Sequence, residues 1–180
     1  MTGAPRRPTL ELWSNQNSLT LIEEWHIFSL SLAMIILLTD QISKEWVLTQ
    51  LTASPQILKV TPFFNVVLTG NRGISFGIFN NDTPYTAHIF AALSGIVVVG
   101  LLVWLQYVCI VRVRLALGAI IGGAIGNALD RLRHDSVVDF LDFHLGGLHW
   151  PAFNVADLAI TIGAVVLTRD AFCHHSSEGR

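Results

Sequence analysis

The chain has 180 residues, of which 52% are hydrophobic and only 13% charged, with a formal net charge of −2. A soluble domain would carry charge on about a quarter of its residues. This composition, with a mean hydropathy of +0.54, therefore excludes an ordinary water-facing surface and indicates an integral membrane protein. Thirteen acids outweigh eleven Lys and Arg, which excludes the dense basic patch that a nucleic-acid partner requires.

The length suggests one domain. Residues 1–24 are polar and read as a tail, mobile or lying at the membrane surface. No short apolar stretch follows the start directly, unlike a cleaved signal peptide. The membrane domain is expected over residues 25–172. Four segments are long and apolar enough to cross about 30 Å of hydrocarbon as helices: residues 25–43, 85–111, 113–130 and 153–170. They leave outer loops at 44–84 and 131–152 and a short inner tail at 173–180. The expected class is an all-α membrane protein with a small β-rich outer cradle between spans 1 and 2.

Orientation follows from arginine. Arg112 and Arg114 mark the tight turn between spans 2 and 3, and arginines beside a span favour the cytoplasmic side. Four spans then put both termini inside, with Arg6, Arg7, Arg169 and Arg180. Lys44, Lys59, Arg72, Arg131 and Arg133 fall outside, spread over much longer loops.

The first outer loop holds Ile57-Leu58-Lys59-Val60-Thr61 and Phe63-Phe64-Asn65-Val66-Val67-Leu68-Thr69, punctuated by Pro62 and Gly70-Asn71-Arg72-Gly73. β-Branched and aromatic runs bounded by turn residues predict a small sheet. In the third span Gly118, Gly122 and Gly126 recur every four residues, a small-residue face that lets helices approach closely in lipid. Asp130 continues that series and so points into the seam.

The candidate chemistry lies in acids at the span ends. Asp139 follows Val137-Val138, which would desolvate it and raise its pKa. Asp142, two residues past Phe140, reads as solvated. Asn154 and Asp157 are three apart, so they share a helix face; the plain structural reading is a helix cap with an acid in the first turn. Asp40 and Lys44 are spaced for a salt bridge. Asn127, Asp130 and Arg131 form a polar helix end, where Arg131 can orient an acid or bind carbonyls. Gly73 reads as a turn residue. Cys109 and Cys173 read as small buried residues, with neither a disulfide nor a metal site indicated. His88 reads as a satisfied interior residue of span 2. There is no HExxH, nucleophile elbow or P-loop.

Each motif is weak alone. The ordered set Asp40-Gln-x-Ser-Lys44, Asn71-x-Gly73-x-Ser-Phe, Gly126-Asn127-x-x-Asp130-Arg131, Val138-Asp139-Phe140 and Phe153-Asn154-x-Ala156-Asp157 resembles the bacterial lipoprotein signal peptidases (signal peptidase II) over roughly residues 25–170. The resemblance implies a four-helix aspartic endopeptidase of the bacterial inner membrane. It would remove signal peptides from prolipoproteins carrying an S-diacylglyceryl cysteine, cutting just before that cysteine. The dyad would be Asp139 and Asp157, near the outer leaflet. Asp40, Lys44, Asn71, Gly73, Asn127, Asp130, Arg131, Asn154 and Ala156 would surround it. No metal or other cofactor is implied; membrane lipid and globomycin-like cyclic peptides would be partners, and a monomer is expected. Asp130 is an internal rival for a dyad seat. The alternatives from other classes are a small proton-coupled transporter and a structural membrane subunit. Transporters usually hold their ionisable residues near the bilayer midplane, whereas these cluster at one end of the spans.

Overall fold

The computed structural model describes residues 9–53, 57–72 and 85–178, with side chains between residues 26 and 173 of those segments. Gly73 lies outside the described residues. The elements run α1 (Thr9–Leu51), β1 (Ile57–Thr61), β2 (Phe64–Asn71), α2 (Thr86–Tyr107), α3 (Val111–His134), β3 (Val137–Leu145), β4 (Leu148–His149) and α4 (Val155–Glu178).

Among the described residues, three helical stretches are long and apolar enough to cross a membrane: His26–Leu51, Thr86–Tyr107 and Val111–His134. The protein is thus a multi-pass membrane protein. α4 is as long as α3, but Asp157, Arg169 and Asp170 interrupt its apolar sequence. α3 is the central helix. It packs against α1, α2 and α4, and 67% of its apolar stretch is buried, against 17% in α1 and in α2.

The glycine face of α3 explains that position. A Cβ on Gly118 would stand 2.3 Å from the Ser29 carbonyl oxygen, and one on Gly122 would stand 2.4 Å from that of Ala33. Only glycine lets the two backbones meet so closely. An apolar core of Ala33, Val98, Leu105, Val113, Leu117 and Ile121 fills the space between α1, α2 and α3. A second cluster, Val47, Leu51, Val66 and Phe140, joins the end of α1 to the sheet.

The four strands form one antiparallel sheet in the order β1-β2-β3-β4. The sequence places a sheet in the first outer loop alone; the second loop supplies β3 and β4 as well. The register sets Asn65 opposite Asp142, Thr69 opposite Asp139 and Asn71 opposite Val137. Phe153, just before α4, forms a bridge with Leu141 through backbone bonds of 2.8 and 3.2 Å. The start of α4 is thereby tied to the strand that carries Asp139.

Several expectations need correction. Helical backbone already begins at Thr9, within the expected polar tail; residues 1–8 lie outside the described residues. α1 also continues past residue 43, the expected end of the first span, to Leu51, because the polar Asp40 and Lys44 turn into the protein rather than ending the helix. Asp142 is buried, since β3 is an inner strand of the sheet and not an edge. His88 is exposed, in the first turn of α2, with Nδ1 3.9 Å from Asp135. Cys109 and Cys173 are exposed as well: one lies in the short α2–α3 connection, the other near the end of α4. Arg112 and Arg114 belong to the first turn of α3 rather than to the connection itself. There Arg112 pairs with Asp170, and buried Arg114 donates to the Val108 carbonyl at the end of α2.

Candidate active site

Lys44 is the electrostatic hub. Its ammonium has three protons and is 2% exposed. Three acceptors surround it: Asp40 Oδ2 at 2.7 Å, Asp130 Oδ2 at 2.8 Å and Asn127 Oδ1 at 3.0 Å. A buried ammonium is tolerated only when paired and hydrogen-bonded, and here every donor is used. Gly126 makes room, since a Cβ there would stand 2.6 Å from Asp40 Oδ2.

The two carboxylates that hold Lys44 each reach onward to a backbone N–H. Asp130 Oδ2 accepts from Val138 at 3.1 Å, and Asp40 Oδ1 accepts from Ala156 at 2.9 Å. Val138 immediately precedes Asp139, and Ala156 immediately precedes Asp157. One lysine thus anchors both peptide segments that carry the candidate acids. Asp130 Oδ1 also accepts from Gln41 Nε2 at 3.0 Å, and Gln41 Oε1 accepts from Arg133 at 3.1 Å. Asp130 is therefore fully occupied in the brace.

Two asparagines then reach the acids, and the chemistry of their partners fixes which way each amide points. Asn127 gives its oxygen to the donor-only ammonium of Lys44, so its Nδ2 faces Asp157 Oδ1, 2.8 Å away. Asn154 gives its oxygen to the Asp157 N–H at 2.9 Å, so its Nδ2 faces Asp139 Oδ1 at 2.7 Å. The Asn154 N–H in turn donates to Asp157 Oδ2 at 3.3 Å. This reciprocal exchange is a capping box that starts α4. The expected cap is present, and the capping residue also touches the second acid.

Asp139 accepts a further bond on Oδ2 from Asn71 Nδ2 at 3.1 Å. Asn71 ends β2, so the sheet register delivers it. Asp139 is 3% exposed. Burial, and then the negative charge of Asp157, push its carboxyl up from the ordinary 3.8 to about 7, against the opposing pull of Asn71 and Asn154. Such an acid can hold a proton at neutral pH beside a second carboxylate, the condition for one proton shared by two acids. Arg131 stacks over Phe90, 5.7 Å from the ring centroid, and donates to the Asn127 carbonyl at 3.3 Å. Its charge acts on Asp157, Asp130 and Asp139, while its buried Nε has no partner among the described residues.

Asp40, Lys44, Asn71, Asn127, Asp130, Arg131, Asn154, Ala156, Asp139 and Asp157 therefore meet in one cluster. The sequence reading omitted Gln41, although it lies within Asp40-Gln-x-Ser-Lys44. It also omitted Asn65, whose Nδ2 donates to Asp142 Oδ2 at 2.9 Å; nothing in the local sequence marks that residue.

Comparison with known proteins shows the family. A family model described as signal peptidase (SPase) II matches residues 32–173. The lipoprotein signal peptidase of Shewanella amazonensis is 41% identical over 149 residues, covering 82% of this chain and 88% of the relative. That of Burkholderia multivorans is 44% identical over 150 residues, covering 78% and 85%. A bacterial membrane enzyme solved by the in meso method at 2.3 Å superposes with a TM-score of 0.72 at 25% identity, covering 83% of this chain and 90% of that one. With a family model matched over residues 32–173 and relatives more than 40% identical over most of its length, the chain belongs to the signal peptidase II family.

Proposed function

We propose that the protein is an aspartic endopeptidase that removes signal peptides from prolipoproteins carrying a diacylglyceryl cysteine, cutting just before that cysteine. The observation that carries this reading is the pairing of Asp139 and Asp157 through Asn154, with Asp139 pushed up to about 7. In the proposed reaction the pair holds one proton. The carboxylate without it takes a proton from water, and the protonated acid donates a hydrogen bond to the scissile carbonyl. Water adds, a tetrahedral diolate forms, and the acid that took the proton returns it to the leaving amine. Asp139, the member with the elevated value, suits the protonated role.

Asn71, Asn127 and Asn154 hold the two carboxyls in register, and Arg131, with a free Nε, suits a substrate carbonyl. Asp130 is a poor dyad member because Lys44, Gln41 and the Val138 N–H occupy it. α4 would act as the fourth span of the bacterial inner membrane, with both termini cytoplasmic. The acids would then lie near the outer leaflet, where acyl chains of the substrate rest in lipid and the sheet covers the peptide. Globomycin-like cyclic peptides would compete for the same site, and no cofactor is required.

The test is release of a signal peptide from a diacylglyceryl-modified prolipoprotein by the purified protein in detergent, read by mass spectrometry. The expected product begins at the lipidated cysteine, and globomycin blocks its formation. An intact precursor after prolonged incubation with folded enzyme would overturn the proposal.

A further inference from the structure

The β3–β4 hairpin has two chemically opposite faces. Gly146 and Gly147, at φ +59° and +85°, form a two-residue turn that glycine alone makes cheaply. Across it Leu145 pairs with Leu148 and His144 with His149, and the Trp150 N–H donates to the Phe143 carbonyl at 2.8 Å. Side chains alternate along a strand and cross-strand partners share a face. Phe143, Leu145, Leu148 and Trp150 therefore line one face. Asp142, His144 and His149 line the other. There the His144 and His149 rings stack at 4.9 Å, and His149 Nδ1 lies 2.8 Å from Asp142 Oδ1.

The apolar face is bare. Phe143, Leu145, Leu148 and Trp150 are 43%, 79%, 81% and 64% exposed. None of the four is charged, and their rows continue into the bundle: Phe143 meets Phe64 at 4.8 Å and Phe153 at 5.9 Å between ring centroids. Phe153 leads into α4, whose Leu158, Ile162 and Val165 are also exposed at helical spacing. At the other end, β3 begins three residues after the membrane-crossing helix α3 stops at His134. β4 ends at His149 and α4 begins at Val155, so both ends of the hairpin return within a few residues to helices of the bundle.

We infer that the β3–β4 hairpin is a membrane-seated paddle: its Phe143-Leu145-Leu148-Trp150 face rests in the interfacial region of the lipid bilayer, with the exposed His149 ring on the opposite face. Lipid is the occupant that the position favours, because the apolar face is continuous with the flank of the bundle. Tryptophan and leucine beside a bilayer edge are the side chains that settle at the headgroup level. The seating of this hairpin stands or falls separately from the roles of Asp139 and Asp157.

The experiment uses the full chain with Cys109→Ser and Cys173→Ser, carrying Leu148→Cys or, separately, Leu145→Cys, labelled with an environment-sensitive fluorophore and reconstituted in phosphatidylcholine vesicles. Thermal unfolding first establishes that each variant folds. Both labels are expected to emit at blue-shifted wavelengths, to lose more than half their intensity with bromine-labelled acyl chains, and to resist quenching by aqueous iodide. Water-like emission with full iodide access would overturn the inference. So would iodide protection that disappears on dilution of protein in lipid, since a second copy would then cover the face.

Discussion

Asn154 donates its side-chain amide to Asp139 at 2.7 Å while its carbonyl oxygen holds the Asp157 N–H at 2.9 Å. One neutral side chain thus sets the separation of two acids from different elements and also caps α4. Asn154→Ala should lower kcat about 100-fold, the order of loss that follows a misplacement near 1 Å. It should cost about 1 kcal/mol of stability through the lost cap. Kinetics and thermal unfolding on the same sample check both, and near-normal kcat would remove Asn154 from the positioning role.

The elevated Asp139 value has a definite sign. A carboxyl raised from 3.8 to about 7 binds its proton more tightly in the folded chain. Its contribution to stability is fully present below about pH 4 and is lost as pH rises through about 7. The shared proton leaves over that same upper limb, so kcat/KM should fall as pH rises through about 7. It should fall again in acid, where the pair as a whole takes up its second proton. Asn71→Ala removes a bond that favours the charged form, so the alkaline limb should move to higher pH. A limb that stays put, or a rate that climbs steadily to high pH, argues against the assignment.

Lys44→Met leaves the buried Asp40 and Asp130 carboxylates facing each other without a cation. Breaking a buried pair in this way costs about 3–5 kcal/mol, so the variant should accumulate poorly and melt far below wild type. Asp40→Asn should be milder, because Lys44 keeps Asp130 and Asn127 and an amide oxygen can still accept from Ala156. Equal melting of Lys44→Met and wild type would show that the brace is dispensable.

Glycine position separates packing from propensity. Gly122→Ala pushes a methyl into the Ala33 carbonyl at 2.4 Å, so α1 and α3 must move apart and the unfolding temperature should drop. Gly95→Ala on α2 meets nothing within 4 Å and replaces a weak helix former, a gain of up to about 1 kcal/mol. Thermal unfolding in one detergent compares the two. The same shift for both would mean that helix approach at Gly122 is not limiting.

Much of this was legible in the chain because the strongest signals are local and periodic. Apolar length marked the helical stretches, the four-residue glycine series marked the α1–α3 seam, and Asp130 in that series does face Lys44. The Asp40–Lys44 bridge followed from helical spacing alone. What was not legible depends on register between distant strands. Asp142 looks solvated until Asn65, far away in β2, is set opposite it, and β3 joins the sheet only because β2 offers a free edge. His88 and Cys173 were misjudged for a related reason: a short apolar context does not tell which side of a helix faces its neighbours; Cys109 is exposed because it falls in the α2–α3 connection.

The most direct test of the central claim replaces each acid in turn. Wild type, Asp139→Asn, Asp157→Asn and Asp130→Asn are compared at equal folded concentration for cleavage of a diacylglyceryl prolipoprotein. Both Asp139→Asn and Asp157→Asn should be inactive while melting close to wild type, and any loss in Asp130→Asn should come with lower stability. Normal cleavage by well-folded Asp139→Asn would contradict the account.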